Sequence, residues 1–152
     1  MPRVSVIVPS FNHANFLREC INSVLAQEGV DLEVIVVDDG STDGSLGILA
    51  SYGSRIVLLR QKGGRQARAR NLALTVARGE FIAFLDSDDR YLPGRLASAV
   101  AAFDADPSVD LVWADYRLID GAGAVQAEWR WAPTCDDFRR ELIAGRDRKS
   151  VV

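Results

Sequence analysis

The run Leu32-Glu33-Val34-Ile35-Val36-Val37 constrains the fold more than any other stretch. It is almost continuously apolar toward its end, whereas a strand with one wet face alternates, so a central strand with both faces covered is expected. A second β-branched run precedes it, Val4-Ser5-Val6-Ile7-Val8-Pro9, stopped by a proline. Between them the apolar period changes. From Asn15, residues Phe16, Leu17, Cys20, Ile21, Val24 and Leu25 fall three and four apart, which predicts an amphipathic helix ended at Gly29. Strand, helix and strand with short joints make a right-handed parallel unit, and in such sheets the loops that carry chemistry lie at the carboxyl ends of the strands.

Those ends are acidic. Asp38-Asp39-Gly40-Ser41-Thr42-Asp43 follows the second strand. Ser41, Thr42 or Asp43 can cap a short helix whose inward face is Leu46, Leu49 and Tyr52, and Gly40 permits a tight turn. Capping leaves Asp38 and Asp39 together at the end of a buried strand unexplained, so a ligand role weighs at least equally with a structural one. Further on, Phe81-Ile82-Ala83-Phe84-Leu85 reads as a strand running into Asp86-Ser87-Asp88-Asp89. Carboxylates end a buried strand poorly unless something cationic sits there. If the extended conformation persists through Asp88, Asp86 and Asp88 point the same way and can share a metal ion, while Asp89 points elsewhere or starts the turn. The plainer alternative is a solvated strand end, because Asp and Ser are common turn residues.

Arg55 to Arg60 predicts a third strand, and Gln61 to Gln66 a glycine-containing loop. Ala67 to Ala77 predicts a helix with Ala69, Leu72, Ala73 and Val76 inward. Arg65, Arg68 and Arg70 at its start oppose the helix macrodipole, a local cost met by a bound anion such as a diphosphate, by pairing with the acidic loops or by plain solvation. The glycines form neither a phosphate-binding Walker loop nor a dinucleotide fingerprint. Pro93 is expected in the first turn of a helix carrying Leu96, Val100 and Phe103. Asp110 to Tyr116 reads as a strand. Gly121-Ala122-Gly123 then turns into another over Ala124 to Trp131, which puts Trp129 and Trp131 on one face, expected in the core ahead of the alternative, the lip of a site. Thr134-x-x-Asp137 resembles a capping box ahead of a helix with Phe138, Leu142 and Ile143, stopped by Gly145.

Composition narrows the function classes. At 152 residues the chain has room for one domain with a real core, and 48% apolar with 26% charged residues marks it as globular. A net charge of -3 without a long basic block argues against a nucleic-acid backbone as partner. Cys20 and Cys135 are too few and too far apart for a zinc site or a disulfide framework, so a reduced, cytoplasmic setting is expected. No window approaches the roughly 20 apolar residues of a membrane span. Residues 146–152 form a charged tail without a partner element, so the expected domain is 1–145, the first portion of a larger design.

Together Val4 to Asn12, Val36 to Asp43, Ala69-Arg70-Asn71 and Phe84 to Asp89 resemble the amino-terminal, nucleotide-sugar-binding half of a family 2 glycosyltransferase of the GT-A fold. The resemblance covers nearly all of residues 3–145. It implies an α/β fold: a Rossmann-like, mostly parallel sheet flanked by helices in a three-layer sandwich. It also implies metal-dependent, inverting transfer of a sugar from a nucleoside diphosphate, uridine first. The acceptor would be a glycan, a lipid-linked or a small molecule, with cell-envelope polysaccharide as the expected setting. A homo-oligomer, and a peripheral place at the inner face of the membrane, are compatible with it.

On this resemblance Pro9, Asn12, Asp38 and Asp39 hold the base, with Asp39 accepting from a uracil ring nitrogen. Arg65 and Arg70 lie near the diphosphate. Asp86-Ser87-Asp88 matches the family's Asp-x-Asp element, with Asp86 meeting the ribose or a metal-bound water and Asp88 ligating Mg²⁺ or Mn²⁺. His13 is expected to play a minor part near the base. Gly63-Gly64-Arg65 departs from the family, which often has a polar residue before that glycine. The base of inverting members is an acidic residue of the second half, expected beyond residue 152. Two alternatives stand beside this reading: a nucleotide-sugar-binding module without transfer activity, and a nucleotidyltransferase. The latter would want a glycine-rich basic loop where Pro9 to His13 stands.

Overall fold

The computed structural model describes residues 1–130. They fall into two units, Met1–Val109 and a second that begins at Asp110. The first contains β1 (Val4–Ser10), α1 (Ala14–Leu25), β2 (Leu32–Asp38), α2 (Ser45–Ala50), β3 (Val57–Arg60), α3 (Arg65–Leu74), β4 (Phe81–Phe84) and α4 (Arg95–Ala105). The four strands are parallel in the order β3-β2-β1-β4.

This order follows from the crossovers. The chain steps outward from β1 to β2 to β3, and α3 then carries it back to the other side of β1. Each crossover is right-handed, so reversing the direction of travel moves the connecting helix to the opposite face. Val4, Val6, Val8, Val34 and Val36 accordingly pack against Leu17, Ile21 and Val24 of α1, Leu49 of α2 and Leu96 of α4. Ile7, Ile35 and Val37 pack against Ala69 and Ala73 of α3. The result is the three-layer α/β sandwich expected. Strand β1 is buried along its whole length and β2 from Val34 onward, which is what an unbroken apolar run requires. The order also reverses between β1 and β4, and in open parallel sheets such a reversal leaves a crevice at the carboxyl ends.

The opposite end of the sheet is held by a polar cluster. Ser5 Oγ accepts the Gly79 amide at 2.8 Å and donates to Glu33 at 2.7 Å, and Glu33 also accepts the Arg78 amide and guanidinium. A Cβ on Gly79 would lie 2.3 Å from the Ser5 nitrogen, so only glycine brings the chain onto β1 here. Burial by itself raises the Glu33 pKa, but the hydrogen bonds from Ser5 and Arg78 outweigh it and hold the carboxyl below its ordinary 4.5. A depressed carboxyl contributes stability above its unfolded pKa and loses it as pH falls through the folded value. Glu33→Gln is therefore expected to lower unfolding stability at pH 7 by about 1 kcal/mol. The gap to the unmodified protein should close as pH falls through the lowered value. Urea denaturation above and below that value tests this, and a pH-independent gap would place the loss in packing instead.

Several local expectations are corrected. Pro93 lies before α4 rather than in its first turn, because Gly94 at φ 78° intervenes and the helix begins at Arg95. The strand expected from Asp110 is not formed. In the second unit strand pairing among the described residues begins at Tyr116, where β5 (Tyr116–Ile119) pairs antiparallel with β6 (Val125–Trp129). Asp120 organises the turn by accepting the Ala122 and Ala124 amides. Trp129 is 59% exposed and stacks on Tyr116, with centroids 6.3 Å apart, so it is not a core residue. Trp131 and the helix expected over 134–145 lie outside the described residues. Among the described residues no helix is long and apolar enough to cross a membrane.

Candidate functional site

A cleft of about 630 Å³ opens at the carboxyl ends of β1 and β4, where the strand order reverses. Pro9, Phe11 and His13 form one wall. Asp39, Arg65 and Gln66 contribute from the next loops, and Asp86, Ser87 and Asp88 from the end of β4. Of the residues expected in the site, Pro9, Asp39, Arg65, Asp86, Ser87 and Asp88 are therefore brought together, whereas Asn12, Asp38 and Arg70 are not on the lining.

At the end of β2 the two adjacent carboxylates divide their work. Asp38 is fully buried, and its Oδ2 accepts the Gly40 and Ser41 amides at 3.2 Å each, bending the chain at Gly40 where φ is 85°. Asp39, one residue on, reaches the β3–α3 loop. Its two oxygens accept the amides of Gly64 at 2.7 Å and Arg65 at 2.8 Å. Those amides open α3, so a carboxylate from another strand caps the helix and offsets the cations at its start. The Gly64 amide above all holds the Asp39 carboxyl below the usual range. Arg65 sits at φ 59°, an uncommon value for a residue with a Cβ, at the rim of the cleft. Asn12, also at positive φ, accepts the Thr42 amide at 2.8 Å and donates its own amide to Ser41, tying the first loop to the acidic one. Asp43 accepts the amides of Ala14 and Ser45 and so serves the starts of both α1 and α2.

At the end of β4 the extended conformation does not persist. The strand stops at Phe84, and the Asp89 amide donates to the Asp86 carbonyl at 2.9 Å, closing a turn over Asp86–Asp89. Strand alternation therefore does not set the directions of Asp86 and Asp88, although both line the cleft. Asp86 Oδ1 accepts from Gln66 at 2.6 Å and from Arg70 at 2.8 Å, and the Arg70 guanidinium lies 5.2 Å from the centre of the Phe84 ring. Gln66 and Arg70 are one turn apart on α3, which is why both reach one carboxylate. Sequence reasoning about the arginines alone misses Gln66, and its helical spacing from Arg70 is the signal that would find it. Ser87 is buried, with its hydroxyl 2.7 Å from His13 Nδ1, so His13 braces the turn more directly than expected. Asp88 is exposed, and no described residue donates to its carboxylate.

The turn is a centre of negative potential. Burial, then Asp88, then Asp86 raise the pKa of Asp89. Cys20, whose Sγ lies 3.6 Å from the Asp86 carbonyl, is pushed up to about 12 by burial, with Asp89, Asp88 and Asp86 adding to it. Among the described residues no three His, Cys, Asp or Glu side chains are grouped to hold a metal ion by themselves. The donor set still suits Mg²⁺ or Mn²⁺, since these hard cations commonly take one or two carboxylates and complete their shell with water and phosphate oxygens. Asp88 is unengaged, while Asp86 keeps only Oδ2 free of hydrogen bonds.

The chain is similar to known proteins over most of its length. It is 37% identical over 120 residues to an uncharacterized glycosyltransferase of Rickettsia typhi, covering 78% of this chain and 38% of that protein. Among solved structures, S. aureus TarS 1-349 in complex with UDP-GlcNAc matches with a TM-score of 0.61 and 38% identity, over 68% of this chain and 31% of that one. The mannosyltransferase PcManGT from Pyrobaculum calidifontis, in complex with GDP-Man and Mn²⁺, matches with a TM-score of 0.64 and 35% identity, over 71% and 34%. The chain thus spans about a third of the length of these relatives. The model of the glycosyl transferase family 2 matches residues 5–147, and the chain belongs to that family.

Proposed function

We propose that the cleft binds a nucleoside diphosphate sugar, uridine-linked in the first instance, and that the chain supplies the donor-binding part of an inverting sugar transfer. The observation that carries this reading is the pairing of carboxylates in one cleft. Asp86 is pinned by Gln66 and Arg70, while Asp88 stands unengaged beside it. In this reading Asp39 accepts a hydrogen bond from the ring N–H of the base, using lone pairs left over from the Gly64 and Arg65 amides. Pro9 and Phe11 flank the base, and Asn12 and Asp38 act behind them by holding the loops in register. Arg65 faces the diphosphate, with Arg70 acting through Asp86. Asp88, with the free oxygen of Asp86, holds Mg²⁺ or Mn²⁺. When bound, that cation supplies positive charge against the charge growing on the departing nucleoside diphosphate.

The ligands of two relatives support a nucleoside diphosphate sugar in general, one uridine-linked and one guanosine-linked with Mn²⁺. An acceptor carboxylate such as Asp39 fits the ring N–H of either base, so the choice of uridine rests on the family resemblance. The acceptor is taken as a glycan, a lipid-linked or a small molecule of a cell-envelope polysaccharide. No residue of 1–130 is assigned as the base that deprotonates it. Calorimetric titration of UDP and GDP in Mn²⁺ tests the donor reading. UDP is expected to bind at least about tenfold more tightly, a difference of about 1.4 kcal/mol. Failure of both to bind would overturn the donor reading, and a preference for GDP would reassign the base.

A further inference from the structure

Arg68 is a cation that a helix start does not welcome, and the donor cleft does not absorb it. Its side chain lies on the outer face of α3, away from Arg65 and Gln66. There it lines a second groove, of about 540 Å³, with Arg60, Gln61 and Lys62 from the end of β3 and Asn71 and Thr75 from the helix. Arg68, Asn71 and Thr75 recur at helical spacing and so form one wall, and the β3 end forms the other. The lining holds three cations and no carboxylate, in a chain whose net charge is -3. Lys62 and Arg68 have no ion-pair partner among the described residues. Arg60 has only a 3.9 Å approach to the buried Asp38.

The Arg68 stem lies close against Gly64 at the start of α3. A Cβ on Gly64 would meet Arg68 Cδ at 2.6 Å and Gln61 Nε2 at 2.4 Å, so this glycine leaves the space those side chains fill. Like charges gathered on two walls repel one another, and an anion between them relieves that cost. The neighbouring Asn71 and Gln61 side chains add amide groups, whereas the Thr75 hydroxyl already donates to the Leu72 carbonyl at 2.7 Å.

We propose that this groove is a second anion site, separate from the donor cleft, and that it takes a phosphate group. The loop 61–65 is shared, because Lys62 faces this groove while Gly63 and Arg65 face the cleft. The phosphate comes either from a free phosphate compound or from a lipid headgroup, and the two are separable by experiment.

The test follows backbone amide shifts of Asn71, Leu72 and Thr75 by NMR with the donor cleft saturated by UDP. One arm adds inorganic pyrophosphate. The other adds vesicles of equal parts phosphatidylglycerol and phosphatidylcholine, against vesicles of phosphatidylcholine alone. The expected result is a saturable shift at these amides in at least one arm, weakened by added salt. A response to pyrophosphate identifies the free source, and a response confined to anionic vesicles identifies the headgroup. Lys62→Gln with Arg68→Gln, which keeps both stems, is expected to weaken that response roughly tenfold or more. Thr75→Asp, which introduces a carboxylate instead of removing a cation, is expected to do the same should the double variant misfold. The proposal is overturned by no shift in either arm, by shifts confined to Asp86–Asp89, or by a response that a folded variant leaves unchanged.

Discussion

Replacing Asp88 with alanine is expected to abolish the Mn²⁺-dependent part of UDP-sugar affinity and to leave the fold intact. Asp88 is exposed, accepts no hydrogen bond from any described residue, and shares its turn with two further carboxylates, so nothing in the fold depends on its charge. Removing it lessens the repulsion that helps raise Asp89, which is neutral or slightly favourable for stability. Without a cation a diphosphate brought to this turn is repelled. With one, the same carboxylate belongs to its binding site. The loss of a direct ligand should exceed the roughly 10- to 100-fold typical of removing an outer partner. Asp89→Ala should matter less, since Asp89 does not line the cleft. Matched titrations with Mn²⁺ and with chelator decide the point. Equal affinity in the two conditions for the unmodified protein would rule out a role for the cation in donor binding.

Asp39→Asn should weaken UDP binding by about 1.5–3 kcal/mol, the range for a hydrogen bond to a charged group. The structure adds a second cost to the lost base contact. Both Asp39 oxygens accept backbone amides, and the asparagine amino group would have to face one of them, N–H against N–H. Either the side chain withdraws, or the Gly64-Arg65 segment relaxes from its positive-φ geometry and takes the Arg65 guanidinium with it. Because the Asp39 carboxyl is held below its ordinary 3.8, the clamp is complete at neutral pH and is lost only as pH falls through the lowered value. UDP affinity by calorimetry, with a thermal melt to show that the variant is folded, is the measurement. Unchanged affinity in a folded Asp39→Asn variant would remove Asp39 from the site.

These two residues also mark how far the sequence could be read. The pair Asp38-Asp39 at the end of a buried strand was legible as a place of either ligand binding or capping, and the structure puts both carboxylates on backbone amides. That they serve opposite purposes follows from the pleat. Asp38 turns toward α1 and α2 and disappears into its own loop, while Asp39 turns toward α3 and reaches the cleft. The Asp86–Asp89 turn is a similar case. Its acidity was legible, but strand and turn are both open to such residues, and the Asp89 amide bond to Asp86 is what selects the turn.

What the sequence determined by itself was the parallel sheet, the order of its elements and the acidic strand ends. Unbroken apolar runs can be satisfied only between two helical layers, and the helical spacing of α1 and the small alanines of α3 supply those layers. Only the tertiary structure decided which charged groups meet. Gln66, Arg70 and Asp86 converge because α3 crosses back over β1 to β4, a contact between residues 16 and 20 positions apart. The same crossing leaves Arg68 on the far side, facing Arg60 and Lys62 instead of the cleft. It also decided where strands formed: among the described residues Asp110 to Asp115 are not paired as a strand although they carry strand-forming residues, because a strand needs a neighbour's backbone as well as its own sequence.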